Sequence, residues 1–534
     1  MAHQKLLLLL VLATVILQLS HNVEAINILA IVSVPLKSHY MALQMLFREL
    51  AIRGHSVTVM NNYPDVNATQ NLKFIDLAAS REMAHFPPMT EFEVNVLSQK
   101  LSNFIKHFTM GVQRAKDDCE NLLLNENVKQ FRAKGEKFDV IFVEQFMSDC
   151  GLMLAAMYDA PIIGITSHTL LPWAYQRLGI PFDFSSDAYY FSDAGTNPNI
   201  FYKLESFLYN LYMKAYGEFS VHQNIYKTFD KYVPNNQLDI AKIAKEKMKM
   251  MFVYQHHSIT GARLLAPSLL EIAGIHIRKP KPVPKDIEKF INSATHGVVY
   301  VSFGSNLKAS TMSSQKLQHF MDAFRKIPQK VLWKMENSSL TAGNDNVLAD
   351  DWFPQLDILC HSNVLAFVSH GGMLSFSEAA HCGKPLITIP FFGDQFSNSA
   401  AARESGLGIT MYFQDITADT LSEAIRQLTS PKMQENAKRV SKLWHDRPQN
   451  VMDSAIYWTE YVARHGDAPA ALPSTRRTWF ESTLLDVYSV LLGVLLAILF
   501  VVYLIISKVI LILASVLKLF SNGKSNCTDN KKNA

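Results

Sequence analysis

The sequence predicts an α/β protein of two facing doubly wound domains, followed by one C-terminal transmembrane helix. Three observations carry that prediction. Strand-like apolar runs alternate with helix-like runs from residue 26, and the alternation restarts after a proline-rich, charged stretch at 278–285. Each half opens on a nearly all-apolar run, 26–34 and 298–303, of the kind a buried parallel strand needs. Residues 487–506 run for twenty positions without a charge, long enough to cross a bilayer.

In chain order, residues 1–25 read as a secretory signal peptide, with Lys5, an apolar run at 6–17 and a small-residue cleavage site at Val23-Glu24-Ala25. The first domain occupies 26–277. After its opening strand, Ser38 is a good N-cap for a helix over 39–53, ended by Gly54 before a strand at 55–60. Helices are expected over 91–116 and 117–135, a strand over 139–143, a polar loop from Glu144 to Cys150, a helix over 151–158 and a strand over 161–166. Residues 173–235 are aromatic-rich and irregular, suiting an apolar pocket wall. The linker is 278–286, because prolines and charges without apolar periodicity make an extended connection.

The second domain occupies 287–445. Its strand over 298–303 leads to the turn Gly304-Ser305-Asn306, a helix over 313–325 and a strand over 330–334. Residues 446–486 hold a crossing helix, 453–465, and the juxtamembrane segment. The span 487–506 has Trp479 and Tyr488 at its entry, where amphipathic aromatics prefer the interface. The apolar stretch 509–517 is too short for a second span and is expected to lie in the interface. Residues 507–534 form the tail. With a cleaved signal, the bulk of the chain is lumenal and the tail cytosolic. The final Lys531-Lys532-Asn533-Ala534 resembles the dilysine retrieval signal of endoplasmic reticulum membrane proteins, giving a type I protein of that membrane. Asn67 and Asn337 are the lumenal glycosylation sequons.

Composition narrows the function. Against 51 basic residues stand 47 acidic ones, so no basic face points to nucleic acid. The five cysteines are scattered without metal spacing. They argue against a disulfide framework while leaving a Cys119–Cys150 bond open.

The most informative stretch is 364–395. A buried strand ends at Ser369, His370 follows, and Gly371-Gly372 let the backbone turn close to a ligand before a helix over 375–382, closed by Gly383 in the left-handed region. A helix N-terminus after such a turn offers free N–H groups and a positive dipole end, which suit phosphate oxygens.

Trp352-Phe-Pro-Gln355-Leu-Asp-Ile-Leu, His370-Gly-Gly, Glu378-Ala and Phe392-Gly-Asp394-Gln395 together resemble the donor signature of family 1 UDP-glycosyltransferases. The resemblance extends to Ser38-His39, Arg53-Gly-His-Ser-Val-Thr-Val, Ile327-Pro-Gln-Lys-Val-Leu-Trp333, Tyr457-Trp-Thr-Glu-Tyr-Val, the single span and the lysine tail. That set is similar to the membrane-bound animal enzymes, with an invertebrate look. It implies the GT-B arrangement of two Rossmann-like domains, the first binding acceptor and the second UDP-sugar.

The resemblance also implies roles. Trp352 stacks on uracil with Gln355 beside it; Ser305, His370 and the amides from Gly372 to Ser375 hold the diphosphate. Glu378 takes the ribose hydroxyls, and Asp394 and Gln395 contact the sugar. Where many vertebrate relatives carry Asn, this chain has Leu374, which donates nothing to phosphate. His39 matches the catalytic base, and a helix N-terminus suits a neutral ring that accepts a proton. Its carboxylate partner is Glu144 by register and Asp149 by side-chain type, with Asp149 slightly preferred. Single displacement inverts the anomeric carbon. No Asp-x-Asp pair suggests a metal–diphosphate clamp, so no bound metal or resident cofactor is expected. The expected substrates are a UDP-sugar, glucose before glucuronate, and a small lipophilic hydroxyl compound, as in detoxification. The competing reading is a catalytically weak lumenal binder of lipophilic ligands. The oligomeric state stays open, a homo-oligomer included.

Overall fold

In the computed structural model the described residues are 24–65, 68–78, 86–146, 148–178, 180, 192–263, 265–466, 480 and 484–528. The signal peptide, Asn67, Trp479 and the dilysine tail lie outside them.

Two all-parallel sheets organise residues 24–466. In the first, β1 (Asn27–Val32) lies at the centre beside β2 (Ser56–Asn61) and β4 (Val140–Glu144). β3 (Leu72–Asp76) extends one side; β5 (Ile162–Ile165), β6 (Met248–Val253) and β7 (Leu269–Glu271) extend the other, giving the order 3-2-1-4-5-6-7. The second sheet repeats the plan with β8 (Val298–Ser302), β9 (Lys330–Lys334), β10 (Val347–Asp350), β11 (Val364–Ser369), β12 (Leu386–Thr388) and β13 (Gly408–Thr410), in the order 10-9-8-11-12-13. The central strands are apolar on both faces because helices cover both, so Ile28, Leu29, Ala30, Val298 and Val299 are fully buried.

Strand order reverses between β1 and β4, and again between β8 and β11. Ligands in such sheets bind beyond the strand C-termini at these reversals. His39 follows β1 and Glu144 ends β4; Ser305 follows β8 and His370 follows β11.

The helix Val451–His465 returns to the first lobe, where Asp453 Oδ1 lies 2.5 Å from Arg53 and Glu460 Oε1 3.2 Å from His55 Nε2. The first lobe thus ends on an element that follows the second in sequence.

Several sequence expectations need correction. The first helix spans Lys37–Ile52, with extended Leu36 in the capping position and no side-chain cap. Leu36 is buried, which draws the helix start back and leaves Ser38 within the first turn. The boundary expected at 117 lies at Asn125. There one long helix (Val96–Leu124) ends, and the Asn125 side chain caps the next (Glu126–Ala133) by accepting from Asn127 N and Val128 N. Residues 192–232 are mostly helical and not irregular: helices Ile200–Tyr212 and Phe219–Tyr232 are joined by a π-helical turn, Met213–Glu218.

The cysteines, too, do more than their spacing suggested. Cys119–Cys150 ties the long helix Val96–Leu124 to the helix Cys150–Ala155. Cys360–Cys382 joins the ends of helices Gln355–Leu359 and Met373–Cys382. Separations of 31 and 22 residues carry no motif; only the folded chain brings the sulfurs together. Replacing both members of the Cys360–Cys382 pair by Ser is expected to cost ~2–4 kcal/mol, read as a lower urea midpoint with an unchanged slope.

The C-terminal unit, considered by itself, is one continuous helix, Leu485–Thr528, about 66 Å long at 1.5 Å per residue. Residues 509–517 continue it and do not form a separate interfacial segment. No proline interrupts the run, and Lys508 alone leaves the backbone hydrogen bonding intact. Its stretch Leu485–Leu519 is long and apolar enough to cross a membrane.

Candidate active site

A cavity of about 650 Å³ lies between the strand C-ends of the two lobes, a volume typical of small-molecule sites. His39 lines it from the first lobe. Ser305, Trp352, Gln355, His370, Gly372, Ser375, Glu378, Asp394 and Gln395 line it from the second. The structure brings these residues around one space.

On the first-lobe side, His39 Nδ1 lies 2.6 Å from Glu144 Oε1. The pair forms because β1 and β4 are neighbours, which sets the first turn of the Lys37–Ile52 helix beside the last residue of β4. Against a carboxylate, Nδ1 carries the proton and Nε2 keeps the lone pair. Glu144 is buried, and the His39 side chain retains 12% exposure towards the cavity. Such an arrangement can take a proton at Nε2 and shelter the resulting positive charge.

Asp149, preferred by side-chain type, has other partners. Its Oδ2 lies 2.6 Å from Arg177 and 2.9 Å from His222 Nε2. Burial alone would raise its pKa, but Arg177 and His222 hold it well below the usual carboxylate range. The preference for Asp149 beside His39 is therefore corrected to Glu144, because a strand end is a fixed neighbour and the loop carries Asp149 away.

On the second-lobe side, the helix Met373–Cys382 starts directly after Gly372 and has no side-chain cap. Its first N–H groups are left for a ligand. Gly371 has φ +81°, where glycine is favoured, and a Cβ on Gly372 would run into the His370 ring unless that ring shifted. Burial, with Lys334 nearby, pushes the His370 pKa down to about 4. At neutral pH His370 is a neutral hydrogen-bonding ring and not a cation. Leu374, the departure from vertebrate relatives, lines the cavity and packs on the apolar core.

Trp352 offers a half-exposed indole, with Lys37 Nζ 5.2 Å from its ring centroid. Gln355 Nε2 donates to Glu378 Oε2 at 2.7 Å and to Ser375 Oγ at 3.0 Å, so these three polar groups are set as one unit. Asp394 accepts from Asn398 Nδ2 at 2.9 Å, and burial raises its pKa. Gln395 spends its carbonyl oxygen on the backbone N–H groups of Phe391 and Phe392, at 2.8 and 3.2 Å, leaving its amide for a ligand.

Sequence reasoning missed several cavity residues. His276 and Arg278 stood in or beside the supposed linker, yet both line the cavity, and Arg278 makes a two-pronged pair with Asp357 at 2.8 and 2.6 Å. Ser167 and His168 follow β5, so the rule that ligands lie beyond strand C-ends would have found them. His168 sits 5.9 Å from His39 between ring centroids, and burial, with the His39 ring beside it, pushes its pKa down to about 3. The sequence suggests an apolar wall in residues 173–235. Phe182, Phe184, Tyr189, Tyr190 and Phe191 lie outside the described residues. Among the described residues, apolar lining comes instead from Leu36, Met41, Met45, Phe86, Phe146 and Phe392.

The chain is similar to known proteins along most of its length. A family model described as "UDP-glucoronosyl and UDP-glucosyl transferase" matches residues 29–518. A UDP-glucosyltransferase 2 from Dactylopius coccus is 35% identical over 494 residues, covering 91% of this chain and 93% of its own. The human UDP-glucuronosyltransferase 1A10 is 28% identical, covering 85% and 86%. Among solved structures, the glycotransferase of kitacinnamycin aligns with TM-score 0.54 and 19% identity, over 84% of this chain and all of that one, which supports the GT-B fold. Because the match runs through both lobes and their shared cleft, the chain belongs to the animal UDP-glycosyltransferase family, whose members transfer a sugar from a UDP donor.

Proposed function

We propose that the chain transfers a hexose, glucose first, from its UDP-sugar to a hydroxyl of a small lipophilic compound, producing a β-glycoside by inversion. The observation that carries the reading is the His39–Glu144 contact of 2.6 Å on the wall facing the Trp352, Gln355 and Glu378 group across one cavity. His39 Nε2 takes the acceptor proton as the acceptor oxygen forms its bond to the anomeric carbon. The bond from that carbon to the β-phosphate oxygen breaks on the opposite face, and UDP leaves with the electron pair. Glu144 stabilises the imidazolium. The charge growing on the diphosphate meets the open N–H groups from Gly372 to Ser375, the Ser305 hydroxyl and neutral His370. Trp352 stacks the uracil and Gln355 bonds its edge, Glu378 takes the ribose, and Asp394 with the Gln395 amide holds the sugar hydroxyls.

Glucose is favoured because the 35% identical relative is named a UDP-glucosyltransferase. The apolar lining supports lipophilic acceptors, and hence conjugation of metabolites or foreign compounds. Two disulfides, the exposed sequon Asn337 and the C-terminal apolar helix support lumenal, membrane-anchored domains, with the endoplasmic reticulum as the proposed membrane. Microsomes carrying the full chain, given labelled UDP-glucose, UDP-glucuronate and a phenol panel, should form glucosides fastest. Binding of UDP-glucose without transfer to any acceptor would instead favour a sequestering protein.

A further inference from the structure

We infer that His276, locked by Tyr254, is a positioning residue for the donor: it holds the Glu378 carboxylate towards the ribose and ties that contact to the first lobe. The inference rests on the reading of Glu378 as the ribose acceptor. Tyr254 follows β6, at the C-terminal end of the first sheet, and is fully buried. Its hydroxyl lies 2.5 Å from His276 Nδ1. His276 Nε2, in a side chain only 9% exposed, makes no hydrogen bond among the described residues and lies 3.5 Å from Glu378 Oε1.

The two contacts together select one tautomer. Were Nδ1 to carry the proton, Nε2 would set its lone pair against a carboxylate oxygen. With the proton on Nε2, the ring points an N–H at Glu378, and Tyr254 donates its hydroxyl to Nδ1. Burial keeps the phenol protonated, consistent with that direction. Gln355 Nε2 already donates to the other Glu378 oxygen at 2.7 Å. The carboxylate thus accepts from Gln355 of its own lobe on one oxygen and faces His276 Nε2, on the strap that joins the lobes, at 3.5 Å on the other. A carboxylate fixed in this way presents its remaining lone pairs to two ribose hydroxyls without first giving up a random rotamer. A stretch that reads in sequence as the edge of a linker becomes part of the nucleoside site.

The test is binding of UDP and of 2′,3′-dideoxyuridine diphosphate to the purified full chain in detergent, by calorimetry. The wild type should prefer UDP by roughly 10–100-fold, as expected for hydrogen bonds to a charged group. His276→Ala should lose roughly 10-fold in UDP affinity, leave the dideoxy compound within about twofold, and raise the KM for UDP-sugar with little change in kcat. His276→Gln, which offers an amide N–H near the place of Nε2, should recover most of the loss. Tyr254→Phe should show a smaller loss with the same ribose selectivity. Equal losses for both ligands, or no loss for either, would overturn the positioning role. A wild type that binds UDP but does not discriminate overturns the ribose assignment of Glu378 together with this inference. A wild type that binds no UDP overturns the donor-site reading itself.

Discussion

His39→Ala is expected to lower glycosyl transfer by roughly 10²–10⁴-fold while UDP affinity stays within about twofold. The ring touches the first-lobe wall, and the groups set for the nucleotide belong mainly to the second lobe, so its loss should spare donor binding. Among the described residues, another ring base beside it is His168, 5.9 Å away between centroids. It cannot take over, because burial pushes its pKa down to about 3 and a base that weak accepts little at neutral pH. Nor is its Nδ1 free, since that nitrogen donates to the Thr169 carbonyl at 2.7 Å. Single-turnover rates with labelled donor, beside calorimetry with UDP, separate the two effects. Transfer at wild-type rate in the variant would remove His39 from the chemistry.

The legible and illegible parts of this protein divide by physical range. The turn and helix proposed to hold the donor were legible because their geometry is local. A buried strand, two glycines and an uncapped helix lie within about twenty residues, and Gly383 does adopt the left-handed conformation expected of it (φ 64°). The two sheets were legible because apolar periodicity and buried parallel strands are the same fact seen twice. Contacts set by the fold alone stayed hidden. Cys360 and Cys382 carry no motif, and Tyr254, His276 and Glu378 meet only once both lobes exist. Helix ends fell between these cases. Ser38 has the right chemistry for a cap, yet the burial of Leu36 decided where the helix begins. The polar loop after β4 misled in a similar way, since side-chain type pointed to Asp149 and strand register to Glu144.

That pair gives the second large effect, because the two carboxylates should fail in different ways. Glu144→Gln is expected to cut kcat by roughly 10²–10⁴-fold with little loss of stability, by the logic that governs a histidine's carboxylate partner. Among the described residues Glu144 Oε2 has no hydrogen-bond partner, so the new amide group breaks no described contact on that side. If its N–H faces His39, however, it donates to Nδ1, forces the proton onto Nε2 and removes the lone pair that the acceptor needs. Asp149→Asn should do the reverse. Arg177 is 7% exposed and pairs with Asp149 at 2.6 Å, so removing the negative charge strands a buried cation. Breaking such a pair costs about 3–5 kcal/mol, and the enzyme that remains folded should keep its kcat. The pH dependence has a definite sign. The Asp149 pKa is lowered in the fold, so its stabilisation is complete above the unfolded carboxylate range and is lost as pH falls through the native value. The wild type should therefore lose stability in acid more steeply than Asp149→Asn, whereas Glu144→Gln should retain the wild-type slope at this site. Denaturation midpoints against pH, set beside kcat for the three proteins, decide the matter. A folded Glu144→Gln with normal kcat, or an Asp149→Asn that is stable but inactive, would return the catalytic partnership to Asp149.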